Sequence, residues 1–199
     1  MNLKTLQLNW IKPLVFVVAL LPLVLLMVNA SLEQLGANPA EKILHETGIW
    51  ALRFLLLTLL ITPLRRLTGW HDLLRLRRML GLYSFFYACL HFLSWLLFDH
   101  VFAGTLAWQP IVSDIIKRPY ITVGFFAFVL LLPLAITSNA YMMRYLGGRA
   151  WQRLHRAVYL IAIAAVIHFW WLVKLDISEP VIYAVILAIL LFLRRYRAA

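Results

Sequence analysis

Four stretches of this sequence, residues 13–32, 79–98, 119–143 and 157–173, contain no Asp, Glu, Lys or Arg. Each is close to the ~20 residues a helix needs to cross the hydrocarbon core of a bilayer. In that medium every backbone N–H and C=O must be bonded within the segment, so the chain is confined to helices there. Two weaker apolar stretches complete the set: 47–64, which carries Arg53, and 177–193, which carries Glu179. With 64% hydrophobic and 14% charged residues, the composition is that of a membrane protein. The expected fold is an all-α integral membrane protein, one domain over 1–199. It is a bundle of six transmembrane helices at about 10–29, 47–64, 79–98, 119–139, 152–173 and 177–193.

The net charge of +11 raises the question of nucleic acid, and the placement of the cations answers it. Fourteen lie at the expected cytoplasmic ends: before or at the start of the first span, between spans two and three, between four and five or at the start of five, and after the sixth. The other connections hold only Lys42, Lys117, Arg118 and Lys174, with seven of the eight acids. The positive-inside rule therefore puts both termini on the cytoplasmic side of a multi-pass membrane protein. Topology and lipid headgroups account for the charge, and no nucleic-acid partner is expected. Lys4, Lys12 and the Val28-Asn29-Ala30 tripeptide also resemble a cleavable signal peptide, but retention as the first anchor is the expectation. Cys89 is the single cysteine, which leaves no intrachain disulfide and reads as a small apolar residue.

Histidines carry the functional signal. With the orientation above, span three enters from the cytoplasm near Met79 and His91 lies roughly 18 Å along it, in the outer half. Span five also runs outward; His155 sits near its cytoplasmic start, and His168 lies thirteen residues, or ~20 Å, further on. His91 and His168 thus reach similar depth on two parallel helices, as two axial ligands of one haem iron require. The competing reading is a pair of buried polar residues bonded to neighbouring helices, although intramembrane ionisable groups are costly enough to be functional candidates by default.

His155 is about 140° around an ideal helix from His168, so the two do not form one site. It is a candidate ligand of a second haem, a contact to a haem or flavin substituent, or a structural residue at a helix start. Arg77 and Arg78 lie thirteen to fourteen residues before His91, where they suit a propionate better than an iron. His45 and Arg53, in HETGIWALR, are candidates for a quinone or partner site, with Arg53 also able to reach an outer propionate. His71 and His100 are expected as solvated loop residues, and Trp95, Trp108, Trp170 and Trp171 as an interfacial belt.

RLRRMLGLYSFFYACLHFLSW, RPYITVGFFAFVLLLPLAITS and WQRLHRAVYLIAIAAVIHFWW together resemble the ferric-reductase-like transmembrane domain. Within that superfamily the short architecture is most similar to the MsrQ (YedZ) family, haem-binding membrane subunits of the bacterial MsrPQ methionine sulfoxide reductase system. The resemblance implies that His91 and His168 match the outer haem ligands and that His155 matches the first span-five histidine. Larger relatives have a second span-three histidine where this chain has Arg77 or Arg78, which leaves open whether one haem b or two bind.

Those relatives also carry a cytosolic flavin and nicotinamide domain. Here the resemblance implies the quinone pool as donor, FMN as a candidate second cofactor, and a periplasmic molybdopterin reductase (MsrP-like) as acceptor. The chain is expected to act as a non-catalytic electron-transfer subunit. A ferric or cupric reductase fed by a cytosolic flavin enzyme is the alternative within the class, and a proton-relaying transporter or assembly protein the alternative outside it.

Overall fold

The computed structural model describes the backbone of residues 3–173 and 176–196 and the side chains from Ile11 onward within those limits, as far as Arg195. Of the cations used for topology, Lys174, Arg197 and the side chain of Lys4 lie outside the described residues. Every regular element among the described residues is helical: α1 (Leu3–Ser31), α2 (Pro39–Thr68), α3 (Leu74–Trp95), α4 (Trp108–Lys117), α5 (Pro119–Ile136), α6 (Ala140–Leu146), α7 (Gly148–His155), α8 (Ala157–Leu172) and α9 (Ser178–Tyr196). A 3-10 turn at His71–Leu73 leads into α3, and a π-helical turn at Leu96–Val101 continues it. Five segments are long and apolar enough to cross a membrane: Ile11–Ser31, Pro39–Thr68, His71–Val101, Pro119–Ile136 and Gly148–Leu172. The sixth expected span corresponds to α9, whose 19 residues carry Glu179 in the first turn and Arg194 and Arg195 in the last.

The chain divides into two compact units, residues 1–95 and 96–199. In the first, α2 packs along α3, with α1 laid against both. Local chemistry sets the ends of α2. Asn38 accepts a hydrogen bond from the Glu41 amide, Pro39 opens the helix, and Gly69 closes it in the left-handed region (φ 68°). Lipid offers no hydrophobic force between helices, so association rests on packing and on polar contacts. Ser84 donates to the Ala51 carbonyl across the α2–α3 seam at 2.9 Å. Phe54 stacks on Tyr83 and Tyr87 with ring centroids 5.5 and 5.4 Å away. Tyr83 and Tyr87 in turn donate to the Phe16 and Ala19 carbonyls of α1, each at 2.8 Å.

In the second unit, α5 packs on α8, with α4 against α5 and α9 against α8. Ile161 and Ala162 are fully enclosed, and the small residue lets α8 approach its neighbours. Arg194 of α9 reaches back to the Tyr159 hydroxyl of α8 at 2.6 Å, so one terminal cation is spent on helix packing. α4 lies within the connection expected as a loop at 99–118. Its apolar residues Trp108, Ile111, Val112, Ile115 and Ile116 fall within an arc of ~140°, opposite Ser113, Asp114 and Lys117. Trp108 and Ile116 remain 78% and 71% exposed.

Candidate functional site

His91 lies on α3 with its Nδ1 2.9 Å from the Leu44 carbonyl of α2. A carbonyl only accepts, so the proton of this imidazole is on Nδ1 and the lone pair is on Nε2. His168 on α8 repeats the arrangement: its Nδ1 is 2.7 Å from the Tyr120 carbonyl, in the first turn of α5. Two imidazoles in separate units therefore share one tautomer. This is the state of a neutral histidine that ligates a metal through Nε2 while the other nitrogen is oriented by a carbonyl. The donor set fits haem, which brings four of its iron's ligands itself and asks the protein only for axial groups.

His155 is held differently. It ends α7 and its Nε2 is 3.0 Å from Thr137 Oγ1 at the close of α5. That hydroxyl donates to the Pro133 carbonyl at 2.6 Å, so it accepts from His155, and the proton here is on Nε2. Trp151 stacks on the imidazole with centroids 3.9 Å apart, and its Nε1–H donates to the Thr137 carbonyl at 2.9 Å. The helix is interrupted at Arg156, between α7 and α8, so His155 and His168 do not belong to one continuous helix. Thr137 could not be picked out from the sequence, because its role depends on how α7 folds back on α5.

Arg77 and Arg78 stand in the first turns of α3, half-buried and exposed respectively. They are ~20 Å along that helix from His91 and do not share its layer. Arg53 places its guanidinium 4.7 Å from the Trp50 ring centroid. His45 follows Leu44 on α2 and lies about two turns from Arg53, roughly 80° around the helix.

Two expectations are corrected. His100 is not a solvated loop residue: it is 2% exposed, in the π-helical turn, with Nε2 3.7 Å from Asp114. Arg118 joins this cluster, 3.3 Å from Asp114 and 3.6 Å from Asp99, because α4 returns the chain beside the end of the preceding helix. Trp95, expected in the interfacial belt, is 8% exposed and packs on Phe92. His71 is exposed as expected. Among the described residues, no three His, Cys, Asp or Glu side chains gather to hold a metal ion.

The family of the ferric reductase like transmembrane component matches residues 47–166, which include His91 and His155 and end two residues before His168. A protein-methionine-sulfoxide reductase heme-binding subunit MsrQ from Herminiimonas arsenicoxydans is 53% identical over 194 residues, covering 96% of this chain and 87% of its own. The proteins of the same name from Azospira oryzae and Xanthomonas oryzae pv. oryzae are 52% and 53% identical. They cover 93% and 94% of this chain, and 78% and 86% of their own. No solved structure matches. With near-complete coverage at this identity, the chain belongs to the MsrQ family of heme-binding subunits, within the ferric-reductase-like transmembrane proteins.

Proposed function

We propose that this chain is a b-type cytochrome of the bacterial inner membrane. It takes electrons from the quinone pool and delivers them to a periplasmic molybdopterin enzyme that reduces methionine sulfoxide in envelope proteins. The observation that carries the proposal is the common state of His91 and His168. Each donates Nδ1–H to a helix carbonyl and so keeps a lone pair on Nε2. Haem, when bound, supplies one-electron chemistry at its iron, at a potential set by axial ligands and surroundings.

The protein's own residues then have distinct tasks. His91 and His168 would hold the haem iron through Nε2, and the Leu44 and Tyr120 carbonyls hold those rings in orientation and raise their basicity. Arg53 on the outer side offers a permanent cation to the carboxylates of the haem, and Arg77 and Arg78 on the cytoplasmic side to a flavin substituent such as that of FMN. His45, beside Leu44, is assigned to the rim where quinol or the partner protein docks. His155, with Nε2 given to Thr137, is assigned to fastening α7 onto α5, in favour of one haem over two. Six spans with both termini in the cytoplasm follow from the cation distribution, with α9 as the last span and Arg194 drawn inward by Tyr159.

Purification in detergent, with oxidised and dithionite-reduced visible spectra and a haem-to-protein ratio, tests the reading. The wild type and the His155→Ala variant are expected to carry a b-type spectrum, and His91→Ala and His168→Ala to lose it. Colourless wild-type protein after growth with excess haem would sink the cytochrome reading.

A further inference from the structure

Both imidazoles come to rest over a glycine. A Cβ added at Gly48 would lie 2.9 Å from Cε1 and Nδ1 of His91, and one added at Gly124 would lie 2.7 Å from Nδ1 of His168. In each case the glycine is four residues after the carbonyl that takes the histidine proton: Leu44 and Gly48 in α2, Tyr120 and Gly124 in α5. We propose that Gly48 and Gly124 are positioning residues, whose missing side chains open a helix carbonyl to the Nδ1–H of His91 and of His168.

The geometry of an α-helix explains the spacing. Side chains lean toward the N-terminus, so the residue at i+4 covers the carbonyl oxygen of residue i, which already accepts that residue's own amide. Any Cβ at i+4 stands between that oxygen and a donor arriving from the neighbouring helix. With glycine there, the second lone pair is open, and the imidazole can reach it at 2.9 or 2.7 Å. Neither glycine has a positive φ, so backbone freedom is not the reason for its presence. Alanine is the better helix former, so any loss on Gly→Ala substitution must come from the collision. Restoring ordinary contact requires the ring to retreat by roughly 0.5–1 Å, which takes the Nδ1–O separation past the hydrogen-bond limit. The ring then loses both its fixed tautomer and its orientation. Gly81 of α3 is the internal control, because a Cβ there meets Thr58 Cγ2 at an ordinary 3.7 Å.

The proposal rests on the haem-ligand reading, and its test separates the two. Haem retention and the low-spin electron paramagnetic resonance signal of the oxidised protein are compared in the wild type, Gly48→Ala, Gly124→Ala and Gly81→Ala. The first two substitutions are expected to weaken haem retention by roughly 10- to 100-fold and to broaden or shift the low-spin signal, as loss of an orienting partner does. Gly81→Ala is expected to leave both unchanged.

A second measurement needs no haem. The thermal midpoint of the haem-free protein in detergent is recorded for Gly48→Ala alone and in a His91→Ala background, and for Gly124→Ala alone and in a His168→Ala background. Each glycine substitution is expected to lower the midpoint only while its histidine is present. Equal lowering in both backgrounds, or a wild-type spectrum and haem content in the glycine variants, overturns the proposal. Absence of haem from the wild type with the coupling intact removes the cytochrome reading and leaves the seating of the imidazoles standing. A single variant that fails to fold while its double variant folds supports the collision; if both fail alike, the proposal falls.

Discussion

Replacing Tyr87 by phenylalanine removes one hydroxyl and tests how α1 is held to the first unit. Tyr87 is 1% exposed and its hydroxyl donates to the Ala19 carbonyl at 2.8 Å, while its ring lies 5.4 Å from both Phe54 and Phe86. The Ala19 carbonyl keeps its own helical hydrogen bond in the variant, so no buried acceptor is stranded. The cost is that of one interhelical hydrogen bond in a membrane protein, about 0.6–1.7 kcal/mol. Tyr87→Ala also removes the ring and its stacking, and large-to-small changes of this kind cost about 3–5 kcal/mol. Tyr83 makes the matching bond to Phe16 one turn earlier and stacks on the same Phe54, so Tyr83→Phe and Tyr87→Phe should combine non-additively. Reversible unfolding in mixed micelles titrated with dodecyl sulfate, followed by tryptophan fluorescence, gives all three values. A Phe variant as costly as the Ala variant would refute the division between hydroxyl and ring. A Phe variant indistinguishable from wild type would show that packing alone fastens α1.

Thr137→Val keeps the shape but removes the acceptor for His155 Nε2–H; a stability loss of about 1–3 kcal/mol is expected, with the haem spectrum unchanged. Loss of the spectrum in that variant would instead tie His155 to the cofactor. Trp108 is expected to lie at the lipid–water boundary, with the apolar edge of α4 in the outer leaflet. In proteoliposomes, lipids brominated near the headgroup should quench the part of the tryptophan emission that Trp108→Phe removes. Quenching of that part by aqueous iodide instead would contradict this placement.

Five of the expected spans were legible because lipid imposes a simple rule on the backbone, which charge-free stretches such as Pro119–Ile136 satisfy without reference to any neighbour. His91 and His168 were legible as candidates for the same reason: an imidazole in an apolar run stands out, and its depth follows from helical rise alone. The break at Arg156 and the fold of α4 were not, since periodicity describes helices better than the points where they turn. His100 was misjudged because its neighbours in sequence are loop-like, while Asp114 and Arg118 reach it only after α4 returns the chain.

Gly48 and Gly124 show the boundary most clearly. In sequence they are two of the chain's eight glycines, and small residues in membrane helices commonly serve packing. Their relation to His91 and His168 spans more than forty positions and exists only once α2 lies on α3 and α5 on α8. By itself the sequence determined that the chain is helical with several segments apolar enough to cross a membrane, and it singled out the histidines within them, because each follows from composition and pattern along one helix. Tertiary structure alone decided which carbonyl each imidazole meets and which nitrogen keeps the lone pair, because hydrogen bonds between helices depend on the packing of residues distant in the chain.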